Sequence, residues 1–271
     1  MKILVFDSTE KCAGTSLKHF LRLNFPHDCF FDLDNGDPPN EVIRNYGIDC
    51  PIRYEDFTNN QLVSPNGFYS LFNSYINERA NWLINNVSKF NLKCIYGNGI
   101  NSTKLLTFFK DKCSINSCKF FRNTTSRIAA EYFYVLNHKT HNLHPIASSC
   151  SSFEKYILHP ERPTNRLSFS LSGNKDTPIS DLFYILENHF FYLGLVENFK
   201  NDLFTLSNLL GLKVKEDIKR NKNPFSKIKE LNLREYDHLT NETDLKDSQV
   251  YEKVLLIRKK NDCKYPKFLQ K

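Results

Sequence analysis

Lys2-Ile3-Leu4-Val5-Phe6, then Glu10-Lys11-Cys12-Ala13-Gly14-Thr15-Ser16, then Leu17, Phe20, Leu21 and Leu23 form the stretch from which the fold is read. The first run is apolar and partly β-branched, which predicts a short buried strand. The last four residues recur at helical spacing. Between strand and helix lies a turn of small residues with one lysine. Such a turn collects free backbone N–H groups and the positive end of a helix dipole, so it is suited to an anion. Gly14 is expected to let the backbone approach that anion closely. Thr15 and Ser16 offer hydroxyls, and Lys11 offers a point charge. The turn departs from the nucleoside-triphosphate loop, in which the lysine follows the second glycine. Here Lys11 precedes Gly14.

Outward from this stretch, strand-like and helix-like runs alternate. Residues 28–34 read as a second strand and residues 34–40 as a break with Gly36, Pro38 and Pro39. Residues 44–66 read as irregular. Phe72, Tyr75, Ile76, Leu83, Val87 and Phe90 mark a long helix. A strand at 92–96 ends in Gly97-Asn98-Gly99, and a helix is expected over 102–112. A strand at 117–121 leads to Arg122 and a helix over 124–137. Residues 138–150 read as a polar loop, 151–158 as a short capped helix and 160–175 as loop or edge. Thr177-Pro178 opens a helix to about residue 189. A strand follows at 190–196, then a helix from Asn198 stopped by Gly211. The tail is polar until a last amphipathic helix at 244–259. Alternation of this kind predicts an α/β fold, with a central parallel sheet flanked by helices. No repeat or linker divides the chain, so a single P-loop-like domain over residues 1–271 is expected.

The chain has 271 residues, a net charge of +7 and a sequence pI of about 8.9, a balance that suits an anionic ligand. Lysine and arginine are scattered, densest over 213–229, so nucleic-acid binding is not the expected role. None of the eight cysteines falls in a Cys-x-x-Cys pair, which points to free thiols in a reducing compartment. The opening apolar run is too short for a signal peptide, and no run reaches the ~18 apolar residues of a membrane span. Sequons at Asn86, Asn101, Asn123 and Asn241 matter only in a secreted chain. A cytoplasmic protein is the expectation. His138, His141 and His144, with Cys150 downstream, have the spacing of zinc ligands, but a loop after a helix end reads first as polar, with substrate contact the livelier role, and no metal is expected.

The Lys11 turn resembles the 5′-phosphosulfate loop of sulfotransferases, Pro-Lys-Thr-Ala/Gly-Gly/Ser-Thr-Ser. Four later stretches resemble further segments of that family, in the same order. Residues 120–132, Phe-Phe-Arg-Asn-Thr-Thr-Ser-Arg-Ile-Ala-Ala-Glu-Tyr, resemble the 3′-phosphate segment. Residues 165–173, Asn-Arg-Leu-Ser-Phe-Ser-Leu-Ser-Gly, resemble the Asn-x-x-Thr-Arg-x-Leu-Ser-Gly segment of the carbohydrate and uronyl 2-O-sulfotransferase branch. Residues 192–199 and 247–252 resemble that branch's Val-Gly-Leu-Thr-Glu-Arg-Phe and Asp-x-x-Leu-Tyr-Glu. The resemblance implies sulfuryl transfer from 3′-phosphoadenosine 5′-phosphosulfate (PAPS) to a carbohydrate hydroxyl, with no metal. It implies that Lys11 stabilises the leaving phosphate oxygen, that the amides of Cys12, Ala13, Gly14, Thr15 and Ser16 cradle the 5′-phosphate, and that Arg122 binds the 3′-phosphate.

The chain departs from the family pattern at Asn123-Thr124 in place of Asp-Pro, Ala130 in place of serine, Phe169 in place of arginine and Asn98 in place of a histidine base. Ser126 is the nearest substitute for the missing hydroxyl. Asp32 or Asp34, and after them His19 or His27, are the remaining candidates for the base. Arg127 is expected to pair with a carboxylate. Two other readings stay open: an inactive relative that binds a nucleotide or glycan, and a P-loop kinase dependent on ATP and Mg²⁺.

Overall fold

The computed structural model describes residues 2–26, 29–33, 65–89, 91–110, 112–214, 228 and 230–261. Asp34, His27, the break at 34–40 and most of the basic stretch 213–229 lie outside them. In chain order the elements are β1 (Lys2–Ser8), α1 (Gly14–Asn24), β2 (Phe30–Asp32), α2 (Pro65–Asn86), β3 (Cys94–Asn98), α3 (Leu105–Lys110), β4 (Ser114–Phe121) and α4 (Thr124–Leu136). Then come α5 (His144–Ser149), α6 (Phe153–Ile157), α7 (Arg166–Ser172), α8 (Ile179–Asn188), β5 (Tyr192–Leu195), α9 (Phe199–Leu210), α10 (Asp237–Thr243) and α11 (Leu245–Asn261). The five strands form one parallel sheet in the order β2-β3-β1-β4-β5. The expected α/β fold is therefore what the chain adopts. Among the described residues no helix is long and apolar enough to cross a membrane.

β1 is central and buried on both faces, which is why it reads as a continuous apolar run and not as an alternating one. Ile3 and Val5 pack with Ile95, Leu83 and Phe109 against α2 and α3. Leu4 and Phe6, pointing the other way, pack with Phe20, Phe120 and Leu203 against α1 and α9. Beyond β4, Phe121 and Leu193 join Leu167, Leu186 and Val250 of α7, α8 and α11. A fourth body of helices forms around Ile128, Val135, Phe153 and Tyr156.

Three segments fold differently from the reading above. The loop expected over 138–150 contains α5, and the loop or edge over 160–175 contains α7. The polar stretch after residue 213 contains α10. All three helices are six or seven residues long, too short to show helical periodicity.

Gly194 of β5 lies against the ring of Phe120, which itself stacks on Phe6 and packs against the tilted ring of Phe199. A Cβ there would come within 2.6–2.7 Å of three ring atoms. A buried ring packed against two others cannot move aside, so Gly194→Ala is expected to destabilise the fold by about 1–3 kcal/mol. Urea unfolding of the two proteins measures this directly.

Candidate functional site

The connection from β1 leaves toward β2, whereas the connection from β4 leaves toward β5. At such a switch point the C-terminal ends of neighbouring strands open a crevice, the usual ligand site of open α/β sheets. The turn carrying Lys11 follows β1, and Arg122 follows β4. Both therefore stand at this crevice, and the Arg122 Nη1–H donates to the Lys11 carbonyl oxygen at 3.2 Å.

The turn is strained. Lys11 and Ala13 adopt φ of 62° and 65°, a left-handed conformation that costs an L-residue about 1–2 kcal/mol. Strain of this kind persists only where surrounding contacts enforce it, and it concentrates at functional sites. Here the contacts are identifiable. Thr9 Oγ1 and Ser170 Oγ lie 2.7 Å apart, Glu10 pairs with Arg166, and the Cys12 N–H donates to the Thr9 carbonyl at 3.1 Å.

That last bond corrects one expectation. The amide of Cys12 is already committed and cannot cradle an anion. Its thiol is buried beneath the turn, and burial pushes it up to about 11. The cradle shrinks to Ala13, Gly14, Thr15 and Ser16, whose N–H groups have no protein acceptor among the described residues. These open α1 and carry the positive end of its dipole. Thr15 is exposed and Ser16 buried. Gly14 also has a packing reason: a Cβ there would fall 2.6 Å from Tyr96 Oη and 2.9 Å from Ser8 Oγ. Close packing of α1 on β1 and β3 requires the glycine.

Arg122 is 7% exposed. Its Nε–H donates to Ser126 Oγ at 2.8 Å, so the hydroxyl beside the guanidinium comes from Ser126, while Ala130 joins the apolar cluster of α4. Burial lowers its pKa, opposed by Cys12 and Glu197. Asn123 caps α4: its side chain accepts the Ser126 N–H at 3.0 Å, and its own N–H donates to Glu197 Oε1 at 2.9 Å.

The Lys11 ammonium lies 3.0 Å from the centroid of the Tyr134 ring. Among the described residues no carboxylate comes within ion-pair distance of it. Burial brings its pKa down to about 8; Glu131 resists that fall and Arg122 adds to it. His138 stacks on Tyr134 at 3.8 Å, and at that spacing only the opposite face of the ring can take it. His138 and His144 each place Nδ1 against a backbone carbonyl, of Tyr134 at 2.6 Å and Val135 at 2.9 Å, so Nδ1 donates. His141 is the reverse: its Nδ1 accepts the Leu143 N–H at 3.1 Å, which leaves the proton on Nε2. Burial, with Lys11 nearby, brings His141 down to about 4. These backbone bonds hold the three rings as local braces. Among the described residues no group of His, Cys, Asp or Glu gathers as a metal site.

Asp32 fits the role of base poorly. Its carboxylate is buried, 2.7 Å from Lys18 Nζ and 3.4 Å from Arg22 Nη2. His19 is exposed on α1, and Asn98 ends β3 beside Ser8.

Behind the crevice lies a buried ionic cluster. Arg127 pairs with Glu131, Asp244 and Asp247, as expected of a structural arginine, at 3.3–3.7 Å. Arg162 pairs with Asp244 at 2.5 Å, and Arg166 with Glu131 at 2.5 Å. The carboxylate of Asp247 receives the N–H groups of Leu167 and Ser168 and the Ser168 hydroxyl at 2.7–3.0 Å, and so closes the N-terminus of α7. All five stretches quoted from the sequence thus meet here. The turn touches α7 through Thr9 and Glu10, Asp247 anchors α7, and Glu197 joins Asn123 to Tyr251. Sequence reading missed Glu10, Tyr134, Arg166 and Ser170. The signal for Arg166 was its place in a quoted segment. That for Tyr134 was the helix it shares with Arg127. No protein-family model, curated protein or solved structure matches the chain.

Proposed function

We propose that the protein is a sulfotransferase that moves a sulfuryl group from PAPS to a hydroxyl, of carbohydrate type, in the cytoplasm. The observation that carries this reading is the joint placement of the Lys11 turn and Arg122 at one crevice, linked by the bond from the guanidinium to the Lys11 carbonyl. Lys11 and the amides of residues 13–16 hold the 5′ end of the nucleotide. Arg122, with Ser126, holds the 3′-phosphate. In the transfer the acceptor oxygen bonds to sulfur as the bond from sulfur to the 5′-phosphate oxygen breaks, and the hydroxyl proton leaves to water. Lys11 and the α1 amides take up the charge that develops on the departing oxygen. A second reading, an inactive nucleotide binder, is favoured by the ion-paired Asp32 and by Asn98 in place of a histidine.

The test is thermal unfolding with 3′,5′-adenosine diphosphate and no Mg²⁺. Saturation to about a hundredfold over Kd is expected to stabilise the protein by about 2.7 kcal/mol. Arg122→Lys keeps the charge but loses the planar fork. It should cut the preference for the 3′,5′-bisphosphate over 5′-adenosine monophosphate by about 10–100-fold, the size of one charged hydrogen bond. Stabilisation by ATP–Mg²⁺ alone would favour a kinase instead. Binding without transfer from labelled PAPS to any acceptor in host lysate would favour the inactive reading.

A further inference from the structure

One carboxylate, Glu131 on α4, acts on the Lys11 ammonium, and a second, Glu10, belongs to the residue just before it, yet neither pairs with it. Both are held by one residue. Arg166, 6% exposed in the first turn of α7, sends Nη2 to Glu10 Oε2 and Nη1 to Glu131 Oε2, the latter at 2.5 Å. The other Glu131 oxygen accepts the Tyr156 hydroxyl at 2.8 Å, and Arg127 lies 3.6 Å from Oε2. Among the described residues, the other groups facing Lys11 are Arg122 after β4, Tyr134 on α4 and His141 in the following loop, none of which supplies negative charge. Arg166 falls three residues before Phe169, the position at which the resembling segments carry arginine.

We propose that Arg166 is a positioning residue that keeps the Lys11 ammonium unpaired for an incoming anion by fastening Glu10 and Glu131 away from it. The inference rests on the reading of Lys11 as the anion-binding lysine. A lysine already paired with a carboxylate would have to break that pair before meeting a phosphate or sulfuryl oxygen. A lysine resting on a tyrosine ring gives up only a cation–π contact. The same bridge fixes the geometry of the turn, since Glu10 is the residue just before Lys11.

The test reads Lys11 itself, in ligand-free protein. Lysines are reductively methylated with ¹³C-formaldehyde and the Lys11 resonance, assigned through Lys11→Met, is titrated by NMR. In the native chain the midpoint is expected near 8. In Arg166→Gln the released carboxylates turn to Lys11, and the midpoint should rise by about one pH unit, a tenfold gain in proton affinity. Inorganic pyrophosphate should then bind about tenfold more weakly at neutral pH. In the Glu131→Gln background the same arginine change should have less than half that effect. If Arg166→Gln does not fold, Arg166→Lys serves, because lysine lacks the planar fork that spans the two carboxylates and the midpoint should still rise. An unchanged midpoint in whichever of these folds overturns the proposal. Nucleotide binding is measured separately with 3′,5′-adenosine diphosphate, so failure of the sulfotransfer reading shows there and leaves this titration intact.

Discussion

Asp247→Ala is expected to destabilise the protein by about 3–5 kcal/mol, the cost of breaking a buried ion pair from one side. The carboxylate accepts two amides and a hydroxyl at the start of α7 and faces Arg127, whose neighbours are Glu131 and Asp244. Alanine leaves those donors without acceptors, and each unsatisfied buried donor costs about 1–3 kcal/mol. Domains of ordinary stability hold only about 5–15 kcal/mol in total, so the loss removes a large share. Asp247→Asn should cost less, since one oxygen still accepts. Asp176→Ala, an exposed site, should stay within about 0.5 kcal/mol. Urea midpoints rank the three. Because α7 holds Thr9 and Glu10, the variant should also lose nucleotide binding before it unfolds.

Lys11→Met is expected to act in opposite directions on stability and on binding. An ammonium whose pKa falls on folding, here to about 8, opposes the folded state. That cost is fully present below about pH 8 and vanishes above the unfolded value near 10.5. Methionine keeps the length and removes the charge, so at neutral pH the ligand-free variant should be more stable by about 1–3 kcal/mol, less the lost contact with Tyr134. The gain should disappear at high pH. Stabilisation by 3′,5′-adenosine diphosphate, in contrast, should be abolished. In the native chain a bound anion keeps the proton on Lys11. Affinity should then be flat below about pH 8 and fall about tenfold from pH 7 to pH 9, as binding comes to require proton uptake. Calorimetric titration across that range tests the slope, and a flat profile removes Lys11 from the site.

The sheet was legible because the strands carry short apolar runs whose neighbours are helices with a clear face, although β4 starts three residues before the expected run, at Ser114. β1 was read as ending at Phe6 and runs on to Ser8, because Asp7 is polar by type yet buried against Lys119 at 2.8 Å. A sequence does not show that two polar residues 112 positions apart neutralise each other. α7 was missed for the same reason. Its Ser and Arg residues look like loop until Asp247, far along the chain, closes the helix end. At the site, the Lys11 turn and Arg122 were legible because local motifs carry them. What was not legible is how their groups are used. That the Cys12 amide is committed to Thr9 depends on the left-handed Lys11. That Arg166 holds Glu10 and Glu131 depends on three segments meeting.

The sealed thiol of Cys12 gives the protein a built-in clock. An alkylating reagent reaches that sulfur only when the strained turn lifts from the strand end beneath it. The rate at which residue 12 is capped, followed by peptide mass, therefore counts openings of the turn, and any anion that settles on α1 should slow the count.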